Sequence, residues 1–315
     1  MKFKKTVMTY SAVLFAVLFM CAACFGIIPT AVSGGTDVSF KTGRKVVVSN
    51  DPHYSETVYY YDYETYIKYH PNDTVQTSSG NSGYHFVSAT EKTVYVGESI
   101  EDGQVTDSRL LTDAERRSVL DHIPLDNDTQ SHYALTLIMY VVLEMSSSDI
   151  ILYGKADWSS ELIWGGAENP EDSVDDYMGL AWSGGMIAYD YDAEEEKRPV
   201  FDGKCTDGSA ISTYYNPVRN FGGEIGWQFA ERLGAFNGIM QTANCYVRIP
   251  YAQWKGDKEK VNESMTFTYV HTWSVGAPID ISFGIGIPPS FNINFGMGNA
   301  DLRSWQLQVG TSLII

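Results

Sequence analysis

Alternation of large apolar and small residues is the feature that most restricts the fold of this chain. Residues 280–287 read Asp-Ile-Ser-Phe-Gly-Ile-Gly-Ile, and residues 291–298 repeat the pattern after Pro288-Pro289. Successive side chains of a β-strand point to opposite faces, so each segment has one apolar face and one small or polar face. The pattern predicts an antiparallel hairpin that buries its apolar face.

Strands are indicated along most of the remaining chain. The apolar segment 132–145 and the segment 150–153 flank a turn-like Ser-rich sequence, which predicts a second hairpin. Residues 57–69 are rich in tyrosine and β-branched residues and predict one continuous strand. A single short helix is expected from Thr112 to about Asp121, because Thr112 and Glu115 have the spacing of a capping box.

Acidic loops are expected between residues 157 and 202. This window contains 13 acidic residues and only Lys197 and Arg198 as bases, and Gly and Pro residues interrupt it. The predicted fold class is therefore mainly β, an antiparallel β-sandwich with one short helix and long acidic loops.

The N-terminus has the order of an export signal. Three lysines precede an uncharged apolar run that ends at Pro29, and the small residues Ala31-Val32-Ser33 follow. We expect residues 1–33 to be a signal peptide cleaved after Ser33. Two alternatives are an uncleaved membrane anchor, since ~20 apolar residues span a bilayer, and lipidation of Cys24. All three place residues 34–315, a β-rich domain with a possible division near 110–130, outside the cell or on its surface.

Net charge excludes one class of partner. The formal charge is −17, and it becomes −20 without residues 1–33, because three lysines and no acids are lost (19 − 39). A chain with a large net negative charge repels phosphate backbones, so no nucleic acid is expected as a partner.

Cys205 and Cys245 are the cysteines that follow the leader. In an oxidising compartment two such residues are expected to form a disulfide.

Carboxylates supply candidates for two kinds of site. Asp190, Asp192 and Glu194 alternate along the chain and are candidate ligands for Ca²⁺, although the EF-hand pattern fails and a solvated acidic loop is the simpler interpretation. Glu144 and Glu224 adjoin predicted strands and are the candidate acid and nucleophile of a glycan hydrolase. No cofactor and no other metal site are predicted.

Tyr59, Tyr61 and Tyr63 fall on one face of the strand predicted over 57–69. Tyrosine is enriched at interfaces because its ring buries a large area at low entropic cost, so these residues are the candidate ligand-binding surface.

The sequence contains an export signal and β patterning but no complete catalytic motif. We therefore expect a secreted or cell-surface binding protein, not an enzyme, whose partner is an extracellular glycan or a surface protein. The alternatives are a secreted glycan hydrolase that uses Glu144 and Glu224, and a pore-forming protein that inserts the hairpin of residues 280–298. Other membrane contact would come from the N-terminal segment if it remains uncleaved.

Overall fold

The computed structural model describes most of the chain after the leader. The described residues are 43–314 apart from 51, 74–82, 102–103, 124, 126–128, 145, 148, 160–175, 184–185, 191, 206–207, 209, 214–218, 222, 230–231, 234–237, 251–261, 275–280, 287–289 and 296–301. All of them lie within one compact unit, Lys41–Ile315. The predicted signal peptide, anchor and lipidation site therefore lie outside the described residues.

Two antiparallel sheets account for most of the described chain. In spatial order, the ten-stranded sheet contains β1 (Arg44–Ser49), β2 (Ser55–Tyr60), β3 (Tyr84–Glu101), β5 (Thr129–Glu144), β6 (Asp149–Ser159), β13 (Gly238–Pro250), β8 (Val200–Cys205) and β9 (Ala210–Thr213), with β4 (Gln104–Leu110) beside β3 and β12 (Arg232–Leu233) beside β13. The five-stranded sheet contains β10 (Arg219–Phe221), β11 (Glu224–Phe229), β7 (Asp176–Trp182), β14 (Asn262–Ser274) and β17 (Leu302–Ile314).

The main apolar core lies between these two sheets. Alternate residues of β5, from Leu135 to Val141, pack with Leu180 of β7 and with Phe267 and Tyr269 of β14. The period of two therefore places one face of each sheet in the core and the other on the outside. The predicted β-sandwich is confirmed.

The predicted hairpins are both formed. β5 and β6 pair antiparallel from Ala134–Ser159 to Glu144–Asp149. A separate two-stranded sheet joins β15 (Ile281–Gly286) and β16 (Ser290–Phe295). Each of these last two strands has six residues, fewer than the ~9–11 that a membrane-spanning strand needs.

Among the described residues there are two α-helices where one was predicted. The predicted helix is confirmed as α2 (Asp113–Leu120), whose N-terminus carries the complete capping box of Thr112 and Glu115. The additional helix, α1 (Tyr63–Tyr69), replaces the second half of the strand predicted over 57–69. That strand prediction is wrong beyond Tyr60, because Asp62 caps the helix by accepting a hydrogen bond from the amide of Thr65. Its other carboxylate oxygen accepts from the amide of Gly43, which precedes β1.

The acidic window is less loop-like than predicted. Asp176–Trp182 forms β7, a fully buried central strand of the smaller sheet. Between β7 and β8 the described chain includes a 3₁₀ turn at Glu195–Lys197. The sequence also predicted a possible domain division near residues 110–130. Strands β4 and β5 lie on either side of this segment, and both pair with β3, so the segment connects two strands of one sheet.

The predicted disulfide between Cys205 and Cys245 is wrong, since both residues are buried free thiols. Cys205 pairs with Met240, whereas Cys245 pairs with Phe201 on the same two strands. This register separates the two cysteines by about five residues, or ~16 Å along the strands. A disulfide requires Cα atoms within ~7 Å.

Candidate functional site

A row of tyrosines crosses the outer face of the larger sheet. Tyr140, Tyr153 and Tyr246 are direct cross-strand partners on β5, β6 and β13. The rings of Tyr140 and Tyr153 stack with centroids 4.4 Å apart, and those of Tyr153 and Tyr246 are 5.2 Å apart and tilted. We call these three residues the tyrosine row. The rings cover part of each other's faces, and all three residues remain partly exposed at the surface of the sheet.

The hydroxyl groups of Tyr140 and Tyr153 are protonated at neutral pH. Burial, followed by the neighbouring Tyr246, raises the pKa of Tyr153 to about 12. Burial also raises the pKa of Tyr140 well above its ordinary value. Each hydroxyl is therefore able to donate one hydrogen bond and to accept others.

An ion pair lies at one end of this surface. Arg248 of β13 donates to the Glu144 carboxylate, and Ser147 donates to the same oxygen at 2.8 Å. Both charged side chains are largely covered, with 15% and 14% of their surface exposed. Burial alone would raise the pKa of Glu144, but hydrogen bonds from Tyr84, Ser147 and Arg248 lower it overall. The carboxylate is therefore ionised at neutral pH.

A second carboxylate faces this ion pair from the next strand. Asp149 of β6 is the direct cross-strand partner of Glu144. It is buried, and one of its oxygens accepts a long hydrogen bond of 3.4 Å from the Tyr189 hydroxyl. Its other oxygen and the Nε atom of Arg248 have no hydrogen-bond partner among the described residues.

The other end of the surface is also polar. Lys155 donates to Asp73 at 2.9 Å, and Asn244 donates to Asp202 at 2.6 Å. Burial alone would lower the pKa of Lys155, but the hydrogen bond and charge of Asp73 raise it overall. The tyrosine row therefore lies between two sets of charged and hydrogen-bonding groups.

Helix α1 packs beside the inner end of the row. Tyr66 is fully buried against Phe86 and Tyr140, and its hydroxyl donates to Asp73 at 2.7 Å. Nearby, the Glu91 carboxylate accepts from the Tyr60 hydroxyl at 2.8 Å and lies 3.1 Å from Nε2 of His70. These contacts fix α1 on the sheet and leave the Tyr153 and Tyr246 side of the face uncovered by it.

The tyrosines proposed from the sequence do not share one face. Tyr59 belongs to β2, where it pairs with Lys45, and the neighbouring Tyr60 points to the opposite face and is buried. Tyr61 follows the end of the strand, and Tyr63 begins α1 and packs near Phe86. Their proposed arrangement as a single stripe is therefore wrong, because the strand ends at Tyr60.

The structure does not bring Glu144 and Glu224 together. Glu144 alternates with the core residues of β5 and lies on the outer face of the larger sheet. Glu224 is fully buried on β11, where Ile225 and Trp227 point into the core. The two carboxylates thus lie on opposite outer faces of sheets that pack ~10 Å apart. Their assignment as a catalytic pair is wrong, because that chemistry needs carboxyls ~5–9 Å apart.

The acidic calcium candidates form a local turn. The Asp190 carboxylate accepts from the amide of Asp192 at 2.9 Å, and Glu194 forms an ion pair with Lys197 at 2.7 Å. Within the described part of the chain, no three His, Cys, Asp or Glu side chains are grouped so that they could hold a metal ion. The geometry therefore gives no support to calcium binding by Asp190, Asp192 and Glu194.

A further polar cluster lies inside the sandwich. The Asp176 carboxylate accepts from the amide of Thr272 at 2.8 Å and from the Tyr269 hydroxyl, and it lies 3.2 Å from Nδ1 of His271. The other imidazole nitrogen is 3.6 Å from Glu98 of the opposite sheet. These side chains are buried, so we assign the cluster a structural role that connects the two sheets.

Comparison with known proteins identifies no family. No family model matches the chain, and no curated protein matches it. The similar solved structures include a collagen adhesin from S. aureus, with a TM-score of 0.25 and 6% identity over 73% of this chain and 92% of that chain. A similarity at this TM-score supports no inference about ligand or function. Among the described residues, no helix has the length and apolar character needed to cross a membrane.

Proposed function

We propose that this chain is a secreted or cell-surface binding protein that engages a glycan or a surface protein through the outer face of its larger sheet. The observation that carries the proposal is the tyrosine row, set between the Arg248–Glu144 ion pair and the Lys155–Asp73 ion pair. The apolar leader predicted from the sequence supports location outside the cytoplasm.

The chemistry of this face suits a polar ligand. Protonated tyrosine hydroxyls, an amide and charged groups of both signs provide donors and acceptors in a fixed arrangement on rigid strands. Such preorganised groups reduce the ordering cost of binding, and tyrosine and arginine are the residues that most often dominate binding energy. The same face supplies ring edges for van der Waals contact.

Retention on arrays of polysaccharides and of extracellular surface proteins tests the proposal. We expect the wild-type protein to be retained by a ligand, and the Tyr153→Ala, Tyr246→Ala double variant to lose that retention. Tyr59→Ala is the matched control, because Tyr59 is a half-exposed tyrosine of the same sheet that lies outside the row. If the double variant were retained as well as the wild type, the proposed surface would be rejected. Loss in Tyr59→Ala alone would instead support the surface predicted from the sequence.

Glycan hydrolysis is a second candidate for the same face. Glu144 and Asp149 are direct cross-strand partners, a position in which Cα atoms lie ~4.5–5.5 Å apart. A retaining glycosidase holds its two carboxyl groups, as distinct from the Cα atoms, ~5–5.5 Å apart, a separation that two side chains on one face of such a pair can reach. Turnover of a polysaccharide that is abolished in Glu144→Gln and in Asp149→Asn would establish this activity, and unchanged turnover in either variant would exclude this pair.

A further inference from the structure

Strand β1 ends the larger sheet with an uncovered apolar segment. It pairs with β2 and, within the described residues, with no other strand. All six of its residues are exposed, including Val46, Val47 and Val48 at 43%, 41% and 51%. Neighbouring valines of a strand point to opposite faces, so neither face of β1 is buried by the part of the chain that the structure describes.

An edge of this kind is a template for another strand. Its free side presents a row of backbone N–H and C=O groups, and natural proteins usually interrupt such edges with proline, charge or a bulge. In β1 the six-residue pairing with β2 is regular, from Arg44–Tyr60 to Ser49–Ser55. Its two charged residues, Arg44 and Lys45, lie at one end, and the three consecutive valines at the centre carry no such protection.

We propose that β1 pairs antiparallel with β1 of a second copy of this chain, which joins the two larger sheets edge to edge. This interface has a twofold axis, so the same residues meet from both copies. The sequence Arg-Lys-Val-Val-Val-Ser is suited to self-pairing in this direction. Antiparallel pairing separates the basic residues at the start of each strand, whereas parallel pairing would place them side by side.

The charges of the neighbouring strand select a register. Arg44 and Val48 lie on the same face of β1, and Val48 pairs with Glu56 of β2. When Val46 meets Val46 of the second copy, Arg44 pairs with Val48 of that copy. The Cα atoms of Arg44 and of Glu56 in that copy are then two strands, or ~10 Å, apart. Two long side chains can span this distance, so the twofold axis creates two attractive charge pairs. Within one chain the Arg44 guanidinium lies 4.1 Å from the centroid of the Tyr69 ring, so it must turn away from that ring to reach Glu56.

The resulting dimer is weak. A strand edge of six residues buries less than the ~1,200 Å² of a standard interface, and two copies of a chain with a charge of −17 repel each other. We expect a concentration-dependent equilibrium with a dissociation constant between about 1 μM and about 1 mM.

Sedimentation velocity over about 1 μM to 1 mM tests the proposal, on protein in the form that the cell accumulates. The wild type is expected to shift from monomer to dimer across this range. Val46→Lys places two ammonium groups face to face at the twofold axis, and we expect it to raise the dissociation constant at least about tenfold. Glu56→Arg is expected to weaken the dimer for the same reason, and the Arg44→Glu, Glu56→Arg double variant to restore it.

Ile123→Lys is the matched control, because Ile123 is an exposed apolar residue outside the larger sheet, with 56% of its surface accessible. It should leave the equilibrium unchanged. Unfolding temperatures of the variants report whether the fold is retained, and the charge-swapped pair decides the outcome if Val46→Lys unfolds. A wild type that stays monomeric at every concentration would overturn the proposal, as would a Glu56→Arg variant that dimerises like the wild type.

Discussion

A few individual side chains stabilise the charge that is buried between the two sheets. Asp176 and Glu98 come from different sheets, and His271 lies between them. A buried carboxylate is tolerated only when hydrogen bonds or opposite charge replace its water shell. The Asp176 oxygens accept hydrogen bonds from the Thr272 amide and the Tyr269 hydroxyl. The cluster therefore stabilises the packing of one sheet on the other as long as every partner is present.

Replacing Asp176 by Asn tests this cluster. The amide keeps the shape of the carboxylate but removes its charge and presents a donor to groups that already donate. We expect the free energy of unfolding to fall by about 3–5 kcal/mol, measured by urea denaturation. Asp190→Asn, at an exposed turn, should change it by less than about 0.5 kcal/mol. An equal, small effect of both changes would contradict the assigned role of Asp176.

Glu115 makes the stability of α2 depend on pH. Its hydrogen bond from Arg109, opposed by burial and assisted by Thr112, lowers the pKa of Glu115 from 4.5 to about 2. Because the folded-state pKa is depressed, the stabilisation is complete above pH ~4.5 and disappears as the pH falls towards 2. We expect Glu115→Gln to lower the free energy of unfolding by about 1–2 kcal/mol at pH 7 and by much less near pH 2. A difference that stayed constant between these two pH values would contradict the assigned ionic contact.

For the individual helices and strands, short-range signals such as a capping box could be recognised in the sequence, whereas pairing between distant segments could not. The helix at Asp113–Leu120 was predicted because its capping box lies within four residues. The helix at Tyr63–Tyr69 was missed, although Asp62 is a common N-cap residue and Glu64 lies in the first turn. The tyrosines at 57–69 masked this signal, because their β propensity favoured a strand.

The cross-strand neighbours of each element could not be derived from the sequence. Tyr140 and Tyr153 lie in the hairpin predicted over residues 132–153, but Tyr246 lies on β13, which pairs with β6 across almost a hundred residues. Only the register of that pairing brings the three tyrosines into line. The same missing information produced the incorrect pairing of Cys205 with Cys245, since spacing along the chain does not fix the position along neighbouring strands.

The close packing of β6 against the opposing sheet can be tested at Gly154. A Cβ atom at this position would lie 2.4 Å from the ring of Phe267 on the opposing sheet. We expect Gly154→Ala to lower the free energy of unfolding by about 1–3 kcal/mol, and Phe267→Leu in the same chain to recover part of the loss. Gly203→Ala is the control, because its nearest neighbour is the flexible end of Met240 and should move aside. A Gly154→Ala variant that is as stable as the wild-type protein would contradict this packing.

For the whole molecule, the asymmetry of the two sheets positions the proposed binding face. The ten-stranded sheet is wider than its five-stranded partner, so its edge at β1 extends beyond the core and its outer face carries the tyrosine row. The sequence predicted the sandwich and a tyrosine-based surface, but it placed that surface at residues 59–63. Non-local strand order moves the proposed surface to the centre of the sheet, beside Arg248 and Glu144.

The dissociation constant of a ligand retained in the array experiment tests the central claim most directly. Calorimetric titration of Tyr153→Ala should give a dissociation constant at least about tenfold higher than that of the wild type, a loss of ~1.4 kcal/mol or more. Tyr59→Ala should stay within about twofold. A Tyr153→Ala variant that binds with wild-type affinity while remaining folded would contradict the account.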